Sequence, residues 1–226
     1  IANRMVDKAF CISFWYRGQV RTVETITKDV MYDNGAFTAY TKGKDIDWKT
    51  YYSWLEPRLF EDRRWAVIPD VIDAGSQLQD ALLKDWPLGK ERGAPVWHTD
   101  EPIDRVLRLL DEWPRVCFGS TGEHWNIQSQ VWRDRLSEVW DEILKRHKEP
   151  NVHMLRGMQV LHDYPFTSAD STTFGQNSHN YDNPTLPHED LNRYNGRKLY
   201  LERVESGDVS WGFLRRVQKY YEETED

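Results

Sequence analysis

Short apolar runs alternate with amphipathic stretches along the first three quarters of this chain, and this alternation restricts the fold more than any other feature. The apolar runs have the length of buried strands, at 9–14, 29–32, 65–69, 94–97, 115–118, 152–155 and 166–169. Apolar residues at helical spacing lie between them, at 47–60, 76–86, 102–113 and 127–147, with a helical turn around 158–162. Strands that alternate with helices predict a parallel sheet, and unbroken repetition favours a barrel over an open sheet. We therefore expect an α/β fold with a TIM-like (β/α) barrel, incomplete or compact because only about seven strands are indicated.

The pattern changes after Thr172. Residues 176–187 are rich in Asn, Ser, His, Asp and Pro, which predicts an irregular loop. Helical spacing returns beyond this loop, so 188–226 is expected to form a C-terminal helical extension. The chain of 226 residues fits one domain, 1–226, built around the barrel.

Composition narrows the classes of function. The net charge of −7 argues against binding polyanions through bulk charge, although a local basic groove can still contact phosphates. Cys11 and Cys117 lie in apolar runs and are expected to be buried thiols. Because no Cys-x-x-Cys pair is present, no thiolate metal site is expected. No apolar run has the length of a membrane span and no signal peptide is visible, so we expect a cytoplasmic protein without a membrane partner.

Polar segments follow three of the predicted strands, at 33–37, 118–123 and 168–172. In (β/α) barrels the carboxyl ends of the strands carry the chemistry, whereas the opposite ends serve stability. Asp33 and Asp170 would both stand there, and two carboxylates suit a reaction with one nucleophile and one acid/base. The alternative for Asp33 is an ordinary Asp-x-Gly turn.

Asp170 is the strongest single candidate for a nucleophile. Its neighbours Ala169 and Ser171 are small, and Ser168 and Thr172 bring further hydroxyl groups that can hold its carboxylate ionised. An ionised carboxylate can attack an anomeric carbon to give a covalent glycosyl intermediate. The alternative is an aspartate that caps a helix beginning at Thr172.

Other residues at strand ends could bind a flat heterocycle. Asp70 could accept hydrogen bonds from a guanine edge, or it could cap a helix. His98 could orient a ligand, although a lone histidine is more often structural. Gly119 and Ser120 offer backbone amides where a side chain on residue 119 would obstruct a ligand. Phe37 could stack on the ligand's face.

These segments resemble motifs of one enzyme family. Residues 33–37 resemble the Asp-Ser-Gly-Gly-Phe motif of the tRNA-guanine transglycosylase superfamily, and 116–120 resemble that family's Gly-Ser or Gly-Gly loop. Residues 168–171 resemble the Ser-Ala-Asp-Ser motif of its DNA-acting branch, the deazapurine DNA-modification (DpdA-like) transglycosylases of phages and bacteria. The ordered set covers roughly two thirds of the chain.

The resemblance implies a TIM-like barrel that replaces guanine in DNA by a 7-deazaguanine, such as the 7-cyano form, through a covalent enzyme–sugar intermediate. It makes Asp170 the nucleophile and Asp33 the acid/base or base-positioning carboxylate. Asp70 would read the guanine edge, and His98 and the 119–120 segment would line the base pocket. The implied partners are DNA and the free 7-deazapurine base, with no cofactor. Many relatives act as dimers, so the resemblance implies a possible homodimer. If the protein is phage-encoded, the expected location is the host cytoplasm.

Two departures from the family bear on the substrate. Asn34 and Ala36 replace small family residues, which could alter the base accepted. The Cys/His zinc site of the tRNA enzymes is absent, which favours DNA over tRNA as substrate.

Basic and aromatic residues complete the predicted site. Two groups of basic residues are expected to contact DNA phosphates. The first, near the first strands, is Arg17, Arg21, Lys42 and Lys44, and the second, near the C-terminus, is Arg193, Arg197 and Lys198. Besides Phe37, the aromatic residues available to stack on a base are Tyr40, Trp97 and Trp125, whose alternative role is core packing.

Two other functions remain open from the sequence. The same carboxylate pair with water as the second nucleophile would make a nucleoside or glycoside hydrolase. A barrel that only binds a deazapurine or a nucleic acid, without catalysis, is the other alternative.

Overall fold

The structure is a computed structural model that describes residues 9–161 and 163–171. The predicted loop at 176–187 and the helical extension at 188–226 lie outside the described residues. The strands are β1 Phe10–Ser13, β2 Val30–Asp33, β3 Arg64–Val67, β4 Gly93–Ala94, β5 Val96–His98, β6 Val116–Gly119, β7 Val152–Met154 and β8 Ser168–Ala169. The α-helices are α1 Val20–Ile26, α2 Ala36–Thr41, α3 Trp48–Leu55, α4 Ser76–Lys84, α5 Ile103–Glu112 and α6 Gln130–Arg146. Short 3₁₀ segments occupy Phe14–Gln19, Lys90–Arg92, Gly122–His124 and Met158–Val160.

The strands form two parallel four-stranded sheets, with the orders β1-β2-β3-β4 and β5-β6-β7-β8. Every pairing is parallel and follows chain order, which confirms the predicted α/β fold. Among the described residues no ladder joins the sheets into a closed barrel. The architecture established here is therefore two parallel sheets with helices.

A proline separates the two sheets. The predicted strand at 94–97 is divided at Pro95, which has no backbone N–H to donate to a ladder. Hydrogen bonds continue on both sides of the break, from Ile68 N to Ala94 O at 2.9 Å and from Cys117 N to Pro95 O at 2.8 Å. The edge strand of the first sheet thus leads directly into the edge strand of the second.

Both faces of β2, β4, β5, β6 and β7 are largely buried, as expected for parallel sheets with helices between the strands. The outward side chains, among them Tyr32, Trp97 and Phe118, belong to the large core that also contains helix residues. The inward side chains form a smaller cluster that draws on both sheets, Met31, Val67, Ala94, Val96 and Cys117. The two sheets therefore face each other across this inner cluster.

A ring contact reports the same arrangement. Trp65 of β3 lies edge-on to His153 of β7, with ring centroids 5.2 Å apart, although these strands belong to different sheets. Neighbouring strands of a flat sheet are about 4.8 Å apart, so residues of β3 and β7, with β4, β5 and β6 between them, would not touch. The strands must curve so that their inner faces meet.

The helices begin close to the predicted places and are shorter at their ends. Asp47 caps α3 by accepting from Lys49 N at 3.0 Å, and Ser129 caps α6 by accepting from Trp132 N at 3.2 Å. The sequence pattern predicted neither α1 nor α2. The first is rich in β-branched residues and the second has six residues, so local propensity and periodicity are both weak.

The two cysteines differ from each other. Cys117 is buried, as predicted, and burial raises the pKa of its thiol well above the ordinary value. The prediction of a buried Cys11 was wrong, because its side chain is exposed. Within the same residues, no helix is both long enough and apolar enough to cross a membrane.

Candidate active site

The residues singled out from the sequence lie where the parallel strands end. Asp33, His98 and Gly119 are the last residues of β2, β5 and β6, and Asp170 directly follows β8. Asp70 follows β3 through Ile68 and Pro69. Because the strands run parallel within each sheet, their carboxyl ends share an edge. The charges of Asp70 and Asp170 both act on Asp33, which brings the three carboxylates into one electrostatic site.

Asp33 has an unusually basic carboxylate. Burial raises its pKa, and the neighbouring charges of Asp170 and Asp70 add to this effect. Hydrogen bonds from Ser13 and from Gly35 N, the latter at 3.1 Å, oppose the rise. The net result is a pKa raised from 3.8 to about 6. A carboxyl group with this pKa can hold or release a proton near neutral pH, as an acid/base catalyst must.

The segment after Asp33 is both a turn and part of the site. Gly35 has φ +82°, a left-handed conformation that favours glycine, and a Cβ there would lie 3.2 Å from Trp15 N. Asn34 is buried and donates from Nδ2 to Ile68 O at 2.8 Å and to Asp70 Oδ1 at 2.6 Å. The Asn34 side chain thus ties the Asp33 loop to the Asp70 loop.

Asp70 forms a buried pair with His98. His98 Nε2 lies 3.0 Å from Asp70 Oδ2, and both side chains are almost inaccessible to water. Burial opposes a charge on His98, but the hydrogen bond and charge of Asp70 outweigh it and raise the pKa of His98. The helix-cap alternative for Asp70 was wrong, since Gly75 occupies the N-cap of α4. Each Asp70 oxygen already accepts one hydrogen bond and keeps one lone pair for a ligand.

Gln79 fixes which nitrogen of His98 carries the proton. Its amide pairs twice with the main chain of Val71, accepting at Oε1 from Val71 N at 3.2 Å and donating from Nε2 to Val71 O at 2.6 Å. These two bonds determine the orientation of the amide, so its NH₂ group faces His98 Nδ1 at 3.4 Å. In neutral His98 the Nδ1 atom must accept, and the proton on Nε2 is donated to Asp70.

Gly119 and Ser120 make structural contacts that the sequence did not predict, and their predicted place beside a ligand stays a prediction. A Cβ on Gly119 would lie 2.9 Å from His98 Cδ2, so the missing side chain makes room for His98. The Ser120 hydroxyl accepts from Trp132 Nε1 at 2.9 Å and so holds α6 against β6. Both residues support the site through His98 and α6.

Asp170 is held by two donors from β7 and its loop. Arg156 N donates to Asp170 Oδ1 at 2.7 Å, and His153 Nε2 lies 3.3 Å from the same oxygen. His153 Nδ1 in turn lies 2.8 Å from Ser168 Oγ. Ser168 was predicted to hydrogen-bond to Asp170. In the structure it contacts His153 instead, and His153 contacts Asp170. The alternative in which Asp170 caps a helix at Thr172 lies outside the described residues.

Arg156 covers one side of the site. It has φ +54°, which aims its backbone N–H at Asp170, and its guanidinium lies 3.4 Å from the centroid of the Phe37 ring. Burial lowers the pKa of Arg156, while the charges of Asp170, Asp33 and Asp70 oppose that shift. One face of Phe37 is thus occupied by Arg156, and a ligand would stack on the other face or displace the arginine.

The remaining aromatic candidates divide by exposure. Tyr40 and Trp125 are exposed, and the Tyr40 hydroxyl donates to Asp73 Oδ2 at 2.5 Å. Trp97 is fully buried, so it takes the alternative role of core packing that the sequence left open. It lies on the outward face of β5, where it packs against Phe118 with centroids 4.8 Å apart.

The predicted phosphate contacts are exposed at the same end of the strands as Asp33. Arg17 and Arg21 lie in the segments after β1, and Lys42 and Lys44 follow α2. The second group, Arg193, Arg197 and Lys198, lies outside the described residues. In the part of the chain that is described, no group of three His, Cys, Asp or Glu side chains is arranged to hold a metal ion.

Sequence reasoning missed four residues that organise the site, Ser13, Gln79, His153 and Arg156. His153 had a recognisable signal, because a polar residue between the apolar Val152 and Met154 of a buried strand must point to the other face. Gln79 lies on a predicted helix among polar residues, where nothing in the pattern distinguishes it from a solvated side chain.

Comparisons with protein-family models, with curated proteins and with solved structures found no match to this chain.

Proposed function

We propose that the protein is a DNA-guanine transglycosylase that replaces guanine in DNA by a 7-deazaguanine through a covalent bond between Asp170 and the sugar. The observation that carries the proposal is that Asp33 and Asp170 both stand at strand ends and that the charge of Asp170 acts on Asp33. Asp170 accepts hydrogen bonds that stabilise its charge, whereas Asp33 has a pKa of about 6. Carboxyl groups in contrasting environments are the usual basis for dividing nucleophile and acid/base roles.

In the first half-reaction, Asp170 attacks C1′ of a deoxyguanosine. The C1′–N9 bond breaks, its electron pair goes to the leaving base, and protonated Asp33 supplies a proton to N7 or O6 of that base. The result is an ester between Asp170 and the sugar, a free guanine and an ionised Asp33. General acid catalysis of this kind typically contributes about 10²–10⁴-fold in rate.

In the second half-reaction, a 7-deazaguanine occupies the vacated position. Its N9 loses a proton to a base such as Asp33 and attacks C1′ from the face that guanine left, opposite Asp170, and Asp170 departs with the electrons of the ester bond. Asp70 and His98 hold the base edge, and no cofactor is required. A paired base cannot reach such a site, so the nucleotide is flipped out or already single-stranded.

The proposal includes the finer architecture and setting. The two sheets are taken as parts of one TIM-like barrel, consistent with parallel order, inner faces that meet and functional groups at the carboxyl ends. DNA, the free base and a second copy of the chain are the proposed partners, acting in the cytoplasm.

The test is incorporation of radiolabelled guanine into single-stranded and duplex DNA by wild type, Asp170→Ala and Asp62→Ala. Asp62 is a fully exposed carboxylate just before β3, at the opposite end of the strands, and serves as the matched control. Label entering DNA with wild type and Asp62→Ala, but not with Asp170→Ala, is the expected result. Release of guanine without incorporation would instead identify a hydrolase. If wild type neither incorporates label nor releases guanine with single-stranded DNA or with duplex DNA, the proposal is contradicted.

A further inference from the structure

A cavity of about 720 Å³ lies beside the candidate active site and takes no part in the proposed chemistry. Its walls are the turn at 14–19, which follows β1, and the segment at 45–50, which covers the end of the α2–α3 connection and the first turn of α3. Its volume falls within the roughly 300–1,000 Å³ that is usual for ligand sites.

The cavity and the active site share a wall. Ser13 hydrogen-bonds to Asp33, and its neighbour Trp15 approaches Gly35 so closely that a Cβ on that glycine would lie 3.2 Å from Trp15 N. Because Trp15 lines the cavity and contacts the Asp33 loop, a unit next to one bound at Asp33 can reach this cavity.

The cavity offers flat aromatic surface next to positive charge. The Tyr16 side chain is 60% exposed, and Trp15 is half-buried beside it. Lys42 Nζ lies 5.2 Å from the Trp15 ring centroid and 5.5 Å from that of Tyr16, and Arg17 lies 4.6 Å from the ring of Phe14. Aromatic rings flanked by cations are the means by which proteins bind single-stranded nucleic acid.

Polar groups with unused hydrogen-bonding capacity also line the cavity. Asp47 is committed, since its oxygens accept from Lys49 N and from the Thr50 hydroxyl at the start of α3. Within the described residues, the side chains of Asp45 and Gln19 have no hydrogen-bond or ion-pair partner. A carboxylate accepts from the amino group of a base, and an amide can pair with a base edge.

We infer that this cavity binds an unpaired nucleotide next to the one whose base is exchanged, with its base on Tyr16 and its phosphate at Lys42 and Arg17. The inference rests on the proposed function and specifies its substrate as a locally single-stranded nucleic acid. Asp45 and Gln19 give the cavity a means to prefer one neighbouring base over another.

The experiment measures the binding of a fluorescein-labelled single-stranded oligodeoxynucleotide with a central guanine, without free base, as a function of salt. Tyr16→Ala removes the stacking surface and Lys42→Ala removes one phosphate contact. The matched controls are Phe60→Ala and Lys28→Ala, because Phe60 is 78% exposed and Lys28 is exposed just before β2, away from the cavity.

The two cavity variants should weaken binding in different ways. Tyr16→Ala should raise Kd about tenfold, in line with the loss of one stacked base, and leave the salt dependence unchanged. Lys42→Ala should raise Kd and reduce the slope of log K against log salt by about 0.7. Both controls should stay within about twofold of wild type.

Equal affinities of Tyr16→Ala and Phe60→Ala for the oligonucleotide would overturn the cavity assignment. A cavity that binds a polypeptide instead of a nucleotide would give this result. Guanine exchange by wild type, measured on the same oligonucleotide, tests the proposed function separately. Exchange that persists while Tyr16→Ala binds normally would reject the cavity alone. A wild type that neither binds nor exchanges would reject both.

Discussion

At the scale of single residues, the site depends on carboxylates whose surroundings differ. Asp33 is partly buried among like charges, whereas Asp170 accepts from His153 and the Arg156 amide. The sequence identified both aspartates because each follows an apolar run. It did not identify His153, although the polar residue between two apolar strand residues was a usable signal, and it did not identify Arg156, whose role depends on a left-handed backbone that no local pattern encodes.

Asp33 should make the stability of the protein depend on pH. Its folded pKa of about 6 lies above the unfolded value of 3.8, so its favourable contribution is complete below about 3.8 and is lost as pH rises through about 6. Asp33→Asn cannot ionise and should unfold with a free energy about 1–2 kcal/mol above wild type at pH 7.5, after allowance for partial exposure. The measurement is urea unfolding of both proteins between pH 4 and 7.5. A difference that does not change with pH would contradict the assignment.

His153 should act as a positioning residue for Asp170. His153→Ala should lower kcat of base exchange by about 10–100-fold, corresponding to about 1.4–2.7 kcal/mol, with little change in KM for DNA. His153→Gln can still donate to Asp170 and should recover part of this loss. Steady-state kinetics of the two variants provide the comparison. A loss confined to KM, or an equal loss in both variants, would speak for a purely structural role.

At the scale of secondary-structure elements, the regular alternation of apolar runs predicted the strands well and the short helices poorly. Strand positions are fixed by burial on both faces, which leaves a strong apolar signal. α1 and α2 carry no such signal, and their positions follow from the turns that precede them. Pro95 shows the same limit of sequence-based prediction. The apolar run at 94–97 was predicted as one strand, whereas the structure divides it at Pro95 into β4 and β5.

Two glycines, Gly119 at the end of β6 and Gly157 just before the 3₁₀ segment Met158–Val160, are required by the packing of neighbouring side chains. A Cβ on Gly119 would lie 2.9 Å from His98 Cδ2, and one on Gly157 would collide with the Met154 side chain. Gly119→Ala and Gly157→Ala should each lower the free energy of unfolding by about 1–3 kcal/mol, as overpacking does. Gly18→Ala is the control, because nothing lies within 4 Å of its Cβ position. Chemical denaturation of the three variants tests this, and equal stabilities would refute the packing argument.

At the scale of the whole molecule, the inner cluster connects the sheets and so links stability to the site. The sequence predicted a barrel from the unbroken alternation of strands and helices, and the two parallel sheets follow the same chain order. Closure depends on curvature and on pairing between the first and last strands, which periodicity does not report. The contact between Trp65 and His153 links the two sheets. Because His153 also contacts Asp170, this link reaches the candidate active site.

Trp65 should therefore affect stability and catalysis together. Its ring lies against His153 and beneath the Arg115 guanidinium, which is 4.3 Å from the ring centroid. Trp65→Ala should lower the free energy of unfolding by about 2–4 kcal/mol, since a large partly buried ring is lost and a cavity remains. The loosened His153 should also lower kcat. Trp125→Ala, which removes a ring that is 71% exposed, should leave the unfolding free energy within about 0.5 kcal/mol of wild type. Unfolding and exchange measured on the same preparations decide the matter: a Trp65→Ala protein with normal stability would mean that the sheets are held together elsewhere.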